Sequence, residues 1–366
     1  MSAQRGVPTE VLDASRLSIA RAGGILAAGG LVVIPTETVY GLAARADSAR
    51  AVRAIFAAKG RPADNPLIVH YATVAAIAAD FRPAAALSSC AVTLLEQFAP
   101  GPLTLVLTAP SWVPAVVRAG LPSVAVRVPA HPVAREVIAA AGGALAAPSA
   151  NRSGRPSPTD AGMALQEMDG RAAAIVDGGP AQIGIESTVI DARDPERLLV
   201  LRAGAIDAAQ LRNACSCQVV DAADDDRQLS AALAPGMRHA HYRPSLPVYW
   251  FTAQQRGQVA LWATDRLNRG EAIIVLLLAP LPDDVRPPTG QNNGAVDVRV
   301  FEDEPAYARG LYRALTAAER SGALLVAAEL PTAHAGLSDR IRRAATASWS
   351  QAFGPTNDDN QQSLRQ

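Results

Sequence analysis

The sequence predicts an α/β protein of two domains, and three observations carry that prediction. Short runs rich in Val, Ile and Leu alternate with amphipathic segments along most of the 366 residues. A hydrophobic fraction of 49% beside a charged fraction of 19% is typical of a globular chain with sizeable cores. The alternation stops in a polar, Pro-rich stretch over residues 221–248 and then starts again.

The first domain, predicted over residues 1–210, has many strands and few helices. Its best-defined helix covers residues 47–60, with Asp47 or Ser48 as N-cap and Gly60 as C-cap. Further helices are predicted near 84–98 and 132–141, and strand patterns cover residues 30–36, 66–70, 103–108, 123–129 and 197–204. So many strands among so few helices favour a large twisted mixed sheet over a plain parallel one.

The remaining chain predicts a linker, a smaller domain and a tail. Residues 211–247 are assigned to the linker, and residues 248–351 to a Rossmann-like domain of alternating strands and helices. The strand patterns there are "VYWF", "AIIVLLLA", "VDVRVF" and "ALLVAAEL", with helices near 253–268, 304–320 and 337–351. Residues 352–366 are polar and predicted to be disordered.

Composition excludes several classes of protein. The formal net charge is zero, so no overall field favours nucleic acid, and any RNA contact must be local. The start lacks the apolar stretch of a signal peptide, and no apolar run is long enough to span a membrane, which predicts a cytoplasmic protein. The three cysteines, Cys90, Cys215 and Cys217, are predicted to be ordinary thiols without a disulfide or a metal.

Lys59 is the single lysine among 34 basic residues, the other 33 being arginines (34 − 1). Because every other basic side chain except histidine is Arg, the single Lys indicates a position where a planar guanidinium cannot replace the ammonium. A compact ammonium contacts phosphate oxygens as a point charge, so Lys59 is a candidate phosphate ligand. Chance survival of one surface lysine is the alternative.

Polar motifs follow or precede the apolar strands of the first domain, where α/β proteins place their ligands. They are "PTETVYG" at 35–41, "KGRPADN" at 59–65, "PSAN" at 148–151 and "GIEST" at 184–188. Arg127 lies inside the apolar "SVAVRVP", which is costly unless a carboxylate or phosphate pairs with it. The Walker A, dinucleotide-binding, HExxH, GxSxG and CxxC motifs are absent from the sequence.

These motifs, in this order, resemble the YrdC-like family, and the two-domain layout resembles the long form of threonylcarbamoyl-AMP synthase. The matching segments are "PTETVYGL", "KGRPADNPL", "GPLTLVL", "VRVP", "APSAN.SG.PSPT", "GIESTVID", "LRAG" and "PGM...HY.P". The resemblance implies a nucleotidyltransferase that converts L-threonine, bicarbonate and ATP into threonylcarbamoyl-adenylate and pyrophosphate, with Mg²⁺ accompanying ATP. The product would pass to a tRNA threonylcarbamoyltransferase that modifies adenosine in tRNA reading ANN codons.

The resemblance also implies roles for individual residues. The catalytic pair would be Lys59 and Arg61, gripping the ATP phosphates. The further ATP contacts would be Asn65, Ser123, Ser149, Asn151, Ser157, Arg202 and Tyr242. The threonine pocket would consist of Thr38, His70, Arg127, Ala147 and Ser187, with Arg127 pairing with the substrate carboxylate and Ala147 contributing backbone. No protein side chain is assigned to the metal.

One departure from the family pattern lies in the linker. Tyr242 matches a residue that folds over the nucleotide as part of a lid, but the next position, often small in the family, is Arg243. We expect the linker to close over the ATP site. Because of Arg243, the sequence does not predict where the linker lies when no ligand is bound.

Two other functions fit parts of the sequence. One is a non-catalytic double-stranded-RNA-binding factor acting in translation or ribosome maturation, which the zero net charge argues against. The other is a carbamoyl-transfer domain that uses carbamoyl phosphate, but the acylphosphatase and zinc-finger motifs that accompany such domains are absent from the sequence.

Overall fold

A mixed sheet of eleven strands forms the centre of the first part of the chain. The computed structural model describes residues 7–81, 87–222, 242–280 and 296–353. The chain divides into two units, Met1–His239 and Ala240–Gln366. Most of the predicted lid, residues 223–241, and the tail beyond residue 353 lie outside the described residues.

The first unit alternates short strands with helices along the chain. Its strands are β1 Glu10–Leu12, β2 Val32–Ile34, β3 Gly41–Arg45, β4 Ile68–His70, β5 Leu103–Thr108, β6 Ser123–Arg127, β7 Leu145–Ala146, β8 Ala174–Val176, β9 Thr188–Asp191, β10 Arg197–Arg202 and β11 Gln218–Asp221. Its helices are α1 Arg16–Ala27, α2 Ala49–Lys59, α3 Val74–Phe81, α4 Ser89–Phe98, α5 Pro132–Ala140, α6 Ala161–Met168 and α7 Ala208–Ala214.

The sheet order is β1-β8-β2-β3-β7-β4-β6-β5-β9-β10-β11, with both parallel and antiparallel pairs. Strand β6 is parallel to β4 and antiparallel to β5. Strand β5 is parallel to β9, which is antiparallel to β10. The carboxyl ends of β4, β6 and β10 therefore meet the amino ends of β5 and β9 at one edge. The predicted mixed sheet is confirmed.

Both faces of this sheet are covered, as the apolar strands require. In β2, Val33 belongs to the core on one face, while Val32 and Ile34 belong to the core on the other. Helices α2 and α4 cover the first face, and α1 and α5 cover the second. A Cβ at Gly23 of α1 would lie 2.5 Å from the Cβ of Ala140 in α5, so glycine permits the close helix contact.

Helix α2 begins and ends as its caps predict. The Ser48 hydroxyl accepts a hydrogen bond from the Ala51 amide, and Gly60 ends the helix in the left-handed conformation at φ 60°. This cap puts Lys59 on the last helical residue, directly before the loop that contains Arg61.

The first sheet continues past residue 210, where the sequence analysis ended the first domain. Strand β11 pairs in parallel with β10, and α7 connects the two strands in the sequence. The signal was weak because β11 has only four residues, all at least partly exposed. An edge strand with little burial has no strong hydrophobic pattern.

The second unit is a parallel sheet in the order β14-β13-β15-β12-β16. Its elements are β12 Val248–Phe251, α8 Arg256–Asn268, β13 Ile273–Leu277, β14 Val296–Val300, α9 Glu304–Ser321, β15 Leu325–Glu329, α10 Ala335–Ala344, β16 Ala347–Ser348 and α11 Trp349–Phe353. The predicted small parallel α/β domain is confirmed. The helix expected over 337–351 is interrupted, because Ala345 is extended and the Thr346 amide bonds to the Val248 carbonyl.

Two further features bear on the sequence analysis. The structure pairs Cys90 with Cys217 as a disulfide and places Cys215 beside them, so the prediction of ordinary thiols without a disulfide is wrong. Sequence separation hid this pairing, since the two partners are 127 positions apart. Among the described helices, none has the length and apolar character needed to cross a bilayer.

Candidate active site

Lys59 is buried at the end of α2, with only 3% of its surface exposed. Its ammonium donates hydrogen bonds to the carbonyl of Ser149, at 2.5 Å, and to the carbonyl of Asn151. Burial, reinforced by the charge of Arg61, lowers the pKa of Lys59 well below its usual value. An ammonium has three N–H donors, so these two carbonyls leave one for a further acceptor.

The loop 149–155 is shaped around this lysine. The Ser153 amide donates to the Lys59 carbonyl at 2.8 Å, so the loop is bonded to both the backbone and the side chain of Lys59. The Asn151 amide group donates to the carbonyls of Arg152 and Arg155, each at 2.8 Å. Its Oδ1 is buried and has no hydrogen-bond partner among the described residues. The predicted "KxR" and "SxN" segments are therefore in contact.

Arg61 and Asn65 are bonded to each other in the loop after α2. The Arg61 guanidinium donates to Oδ1 of Asn65 at 2.6 Å and to the Asn65 carbonyl at 3.1 Å. Asn65 is buried, and Arg61 is half-buried. This pairing fixes the guanidinium near the ammonium of Lys59, whose pKa its charge lowers.

A second buried cluster surrounds Arg127 at the carboxyl end of β6. Its guanidinium donates to the Glu37 carboxylate at 2.6 Å, to the Thr38 hydroxyl at 2.9 Å and to the Gly101 carbonyl at 3.1 Å. The side chains of Arg127 and Glu37 are each 4% exposed. Burial opposes ionisation of Glu37, but the charge and hydrogen bond of Arg127 lower its pKa below the usual value.

The Thr38 hydroxyl has a defined direction in this cluster. The Thr36 hydroxyl donates to the Val39 carbonyl at 2.6 Å, so in the 2.8 Å contact between the two threonine hydroxyls Thr38 is the donor. Thr38 then accepts from Arg127. The chain of donors runs from the guanidinium through two hydroxyls to the backbone.

His70 lies opposite Arg127 in the pairing of β4 with β6 and is a neutral base. Burial and the charge of Arg127 lower the pKa of His70 to about 3. Its Nδ1 lies 3.2 Å from the Ile68 carbonyl, which can only accept, so Nδ1 carries the proton. The Nε2 atom is therefore an acceptor.

Ser187 and Arg202 meet at the same edge of the sheet. Arg202 donates to the carbonyl and the hydroxyl of Ser187, at 3.1 Å each. The Ser187 hydroxyl also lies 2.7 Å from the hydroxyl of Thr104 on β5. Both Ser187 and Thr104 are fully buried.

Backbone hydrogen bonds join the loops that carry these clusters. The amides of Ile183 and Gly184 donate to the carbonyls of Glu37 and Thr38, at 2.8 and 3.1 Å. The Ser157 hydroxyl donates to the Glu186 carboxylate at 2.6 Å. The "PTET", "GIEST" and "PSPT" segments therefore form one connected structure in the first unit.

The remaining predicted residues have separate positions. Ser123 begins β6 and is buried. The Ala147 amide donates to the Ile68 carbonyl at 3.0 Å, next to the strand of His70. Tyr242 belongs to the second unit, where it is 4% exposed and its ring stacks on Tyr312 at 5.5 Å. Its assignment to the nucleotide stays a prediction.

Sequence analysis missed Glu37, Glu186 and Thr104 as members of these clusters. Glu37 had a usable signal, because it is a carboxylate in the segment that directly follows the apolar strand β2. A buried arginine requires an anionic partner, and we assigned that partner for Arg127 to a ligand. The chain itself supplies one in Glu37.

Known proteins match both units. The Sua5–YciO–YrdC family model, described as "Telomere recombination", matches residues 24–204. The family model for the threonylcarbamoyl-AMP synthase C-terminal domain matches residues 206–346.

Relatives from two organisms are named threonylcarbamoyl-AMP synthase. Threonylcarbamoyl-AMP synthase of Bacillus subtilis is 44% identical over 241 residues, covering 66% of this chain and 68% of that protein. The Pyrococcus abyssi enzyme is 38% identical over 312 residues, covering 84% and 87%. The crystal structure of P. abyssi Sua5 complexed with L-threonine superposes with a TM-score of 0.80 at 34% identity, covering 92% of this chain and 98% of that one. This chain therefore belongs to the two-domain Sua5 family of threonylcarbamoyl-AMP synthases.

Proposed function

We propose that this protein catalyses nucleotidyl transfer from ATP to a threonine carbamate, giving L-threonylcarbamoyl-adenylate and pyrophosphate. The observation that carries the proposal is the pair of buried clusters around Lys59 and Arg127 in one set of joined loops. One cluster suits a polyphosphate and the other a small amphoteric molecule. The relative from P. abyssi was crystallised with L-threonine.

The cluster around Arg127 has the groups that threonine requires. Three of the five guanidinium N–H donors are bonded to Glu37, Thr38 and Gly101, which leaves two for the substrate carboxylate. Nε2 of neutral His70 can accept a hydrogen bond from the threonine amine or hydroxyl. A protonated histidine would instead repel the ammonium of incoming threonine.

The cluster around Lys59 has the groups that a triphosphate requires. The Lys59 ammonium and the Arg61 guanidinium would neutralise charge that develops on the phosphates. Burial disfavours the charged form of Lys59, so an anion bound beside it would stabilise the ammonium. Asn151, whose buried Oδ1 lacks a partner among the described residues, would accept from the nucleotide.

Mg²⁺ would accompany ATP and prefers hard oxygen ligands, most of which the phosphates and water provide. The buried Glu186 carboxylate is an oxygen donor of this kind, and its charge acts on Lys59. The residues present therefore fit Mg²⁺, with Glu186 as the side chain that would face it. When bound, the ion would neutralise phosphate charge.

The chemistry needs positioning rather than a protein nucleophile. The threonine amine adds to CO2 from bicarbonate, forming a carbamate and releasing a proton. A carbamate oxygen attacks the α-phosphorus of ATP, and the bond to pyrophosphate breaks. Lys59 and Arg61 would hold the leaving group while Arg127 and Thr38 hold the amino acid. The product would supply a transferase that modifies tRNA.

The test is release of pyrophosphate from ATP by the purified full-length chain. We expect release to require L-threonine and to increase with added bicarbonate, and mass spectrometry should find threonylcarbamoyl-adenylate. Serine, which lacks the methyl group, serves as the matched control substrate. Pyrophosphate release that is independent of threonine would contradict the proposal, and so would salt-dependent RNA binding without ATP turnover.

A further inference from the structure

Three cysteines from distant parts of the sequence meet in the first unit, away from the candidate active site. Cys90 lies in the first turn of α4, Cys215 caps the end of α7, and Cys217 directly precedes β11. Their three Sγ atoms all lie within 4.8 Å of one another. We refer to these three residues as the cysteine trio.

The trio has a defined internal arrangement. Cys90 and Cys217 are paired as a disulfide with their Cα atoms 6.6 Å apart, inside the usual range. Cys215 is a free thiol, and its Sγ lies 3.4 Å from the Leu211 carbonyl. Cys90 is 5% exposed, while Cys215 and Cys217 are partly exposed and pack against the main core.

The proposed catalytic groups play no part in the trio. The pairing of β10 with β11 puts Cys217 next to the start of β10 at Arg197, whereas Arg202 is at the other end of that strand. Five residue steps along a strand amount to about 17 Å. A covalent bond at the trio therefore acts on the position of β11 and not directly on the site.

The place of the disulfide gives it a mechanical effect. Strand β11 is an edge strand that pairs with β10 alone among the described strands. The disulfide joins the residue before this strand to α4, whose apolar residues Leu94 and Leu95 lie in the core. It also closes a loop of 127 residues, and cross-links over long loops restrict the unfolded chain most.

We propose that the trio is a reversible thiol-oxidation site that locks β11 to α4. Its co-reactant is a low-molecular-weight disulfide of the glutathione class. Cys90 and Cys217 each lose a proton, one S–S bond forms between them, and the small disulfide is reduced to two thiols. The oxidant gains the two electrons that the cysteines lose, so the reaction balances.

Cys215 begins the reverse reaction. Its thiolate attacks Sγ of Cys217, the bond between Cys217 and Cys90 breaks, and Cys90 leaves as a thiolate that takes up a proton. The resulting disulfide between Cys215 and Cys217 no longer holds α4, and an external thiol then reduces it. Partial exposure of both residues makes the second step accessible.

The first experiment compares the wild type after glutathione disulfide with the wild type after dithiothreitol. We expect differential alkylation and peptide mapping to find the bond between Cys90 and Cys217 after oxidation, with Cys215 alkylated. The melting temperature of the oxidised protein should be higher by about 5–10 °C. Failure of the disulfide to form, or equal melting temperatures, would overturn the proposal.

Three serine variants separate the roles of the trio. Cys90→Ser and Cys217→Ser should lose the melting-temperature difference between oxidised and reduced samples. Cys215→Ser is the matched control. It should keep that difference, but dilute dithiothreitol should reduce its disulfide between Cys90 and Cys217 several times more slowly than in the wild type. An unchanged opening rate would overturn the role given to Cys215. If aerobically purified protein contains three reduced cysteines and one bound zinc ion per chain, then the trio is a metal site and the proposed disulfide is wrong.

Discussion

Glu329 in the second unit and Lys59 in the first unit, both buried, have their charges held in opposite ways. In the second unit, Glu329 at the end of β15 accepts from the Arg256 guanidinium and, at 3.0 Å, from the Leu278 amide. Arg340, fully buried, forms an ion pair with Asp339 and lies over the ring of Tyr242. In the first unit, the buried ammonium of Lys59 is held by two neutral carbonyls.

This difference separates structural charges from charges that can act on a ligand. Glu329 is neutralised by a cation next to it and by a backbone donor, so its charge stabilises the fold. Among the described residues, Lys59 donates to two carbonyls, which do not cancel its charge and which leave one N–H donor over. A buried cation of this kind favours an anion. Arg127 differs, because Glu37 already pairs with its charge, and it offers a ligand hydrogen-bond donors.

The largest expected effect is on Lys59→Arg, which keeps the charge and changes its shape. The guanidinium is too wide to lie between the carbonyls of Ser149 and Asn151, so the contact with phosphate should be lost. We expect kcat/KM for threonine-dependent pyrophosphate release to fall by about 10²–10³-fold. Arg50→Lys, the reverse exchange on the exposed face of α2, is the control and should keep full activity. More than half of wild-type activity in Lys59→Arg would disprove the role of the lone lysine.

Arg127→Ala tests the second cluster of the first unit. Removal of the guanidinium deletes the donors to substrate and leaves the Glu37 carboxylate buried without its cation. We expect a loss of threonine binding of about 2–4 kcal/mol, with a much smaller change in KM for ATP.

Because Arg127→Ala also removes the ion-pair partner of Glu37, the double variant Arg127→Ala/Glu37→Gln is its control. The second change should restore stability without restoring threonine binding. Equal changes in KM for both substrates would move Arg127 out of the amino-acid pocket.

Glu329→Gln tests the structural charge of the second unit. The amide can no longer neutralise Arg256, so we expect the free energy of unfolding to fall by about 1–3 kcal/mol. Initial rates of pyrophosphate release at 25 °C should stay within about twofold of the wild type, because the change touches no proposed ligand group. Urea denaturation and steady-state assays measure the two effects. A large loss of activity in a folded variant would contradict the purely structural role given to Glu329.

Local patterns predicted most of the fold. The caps at Ser48 and Gly60 and the apolar runs of β5 and β13 each carry a strong signal within a few residues. Strand β11, which is short and little buried, lacks such a pattern and was missed. The break between α10 and α11 depends on pairing of Thr346 with a strand about 100 residues earlier, which no local window contains.

The site was predictable as a set of residue types but not as a network. The motifs placed Lys59 and His70 at element ends and Arg127 inside a strand, whereas in the structure all three end their elements. The partners of these residues depend on contacts between distant segments, as with Glu37 and Arg127, which are 90 residues apart. The disulfide was invisible for the same reason.

The smallest predicted effect concerns the buried His70. Among the described residues, its side chain has no hydrogen bond to a carboxylate. In the folded protein its pKa is lowered to about 3, whereas the unfolded chain has a value near 6.5. Between these values the unfolded chain binds a proton that the native state does not, so stability is complete above about pH 6.5 and decreases as the pH falls. At pH 5 the loss due to this one group should be about 2 kcal/mol.

His70→Gln, which keeps a donor for the Ile68 carbonyl, should lose correspondingly less stability between pH 7 and pH 5 in urea titrations. If His70→Gln and the wild type lose the same stability over this range, then the native state protonates His70 as readily as the unfolded chain does. At pH 5 it would then be a cation beside Arg127 and could not accept a hydrogen bond from threonine.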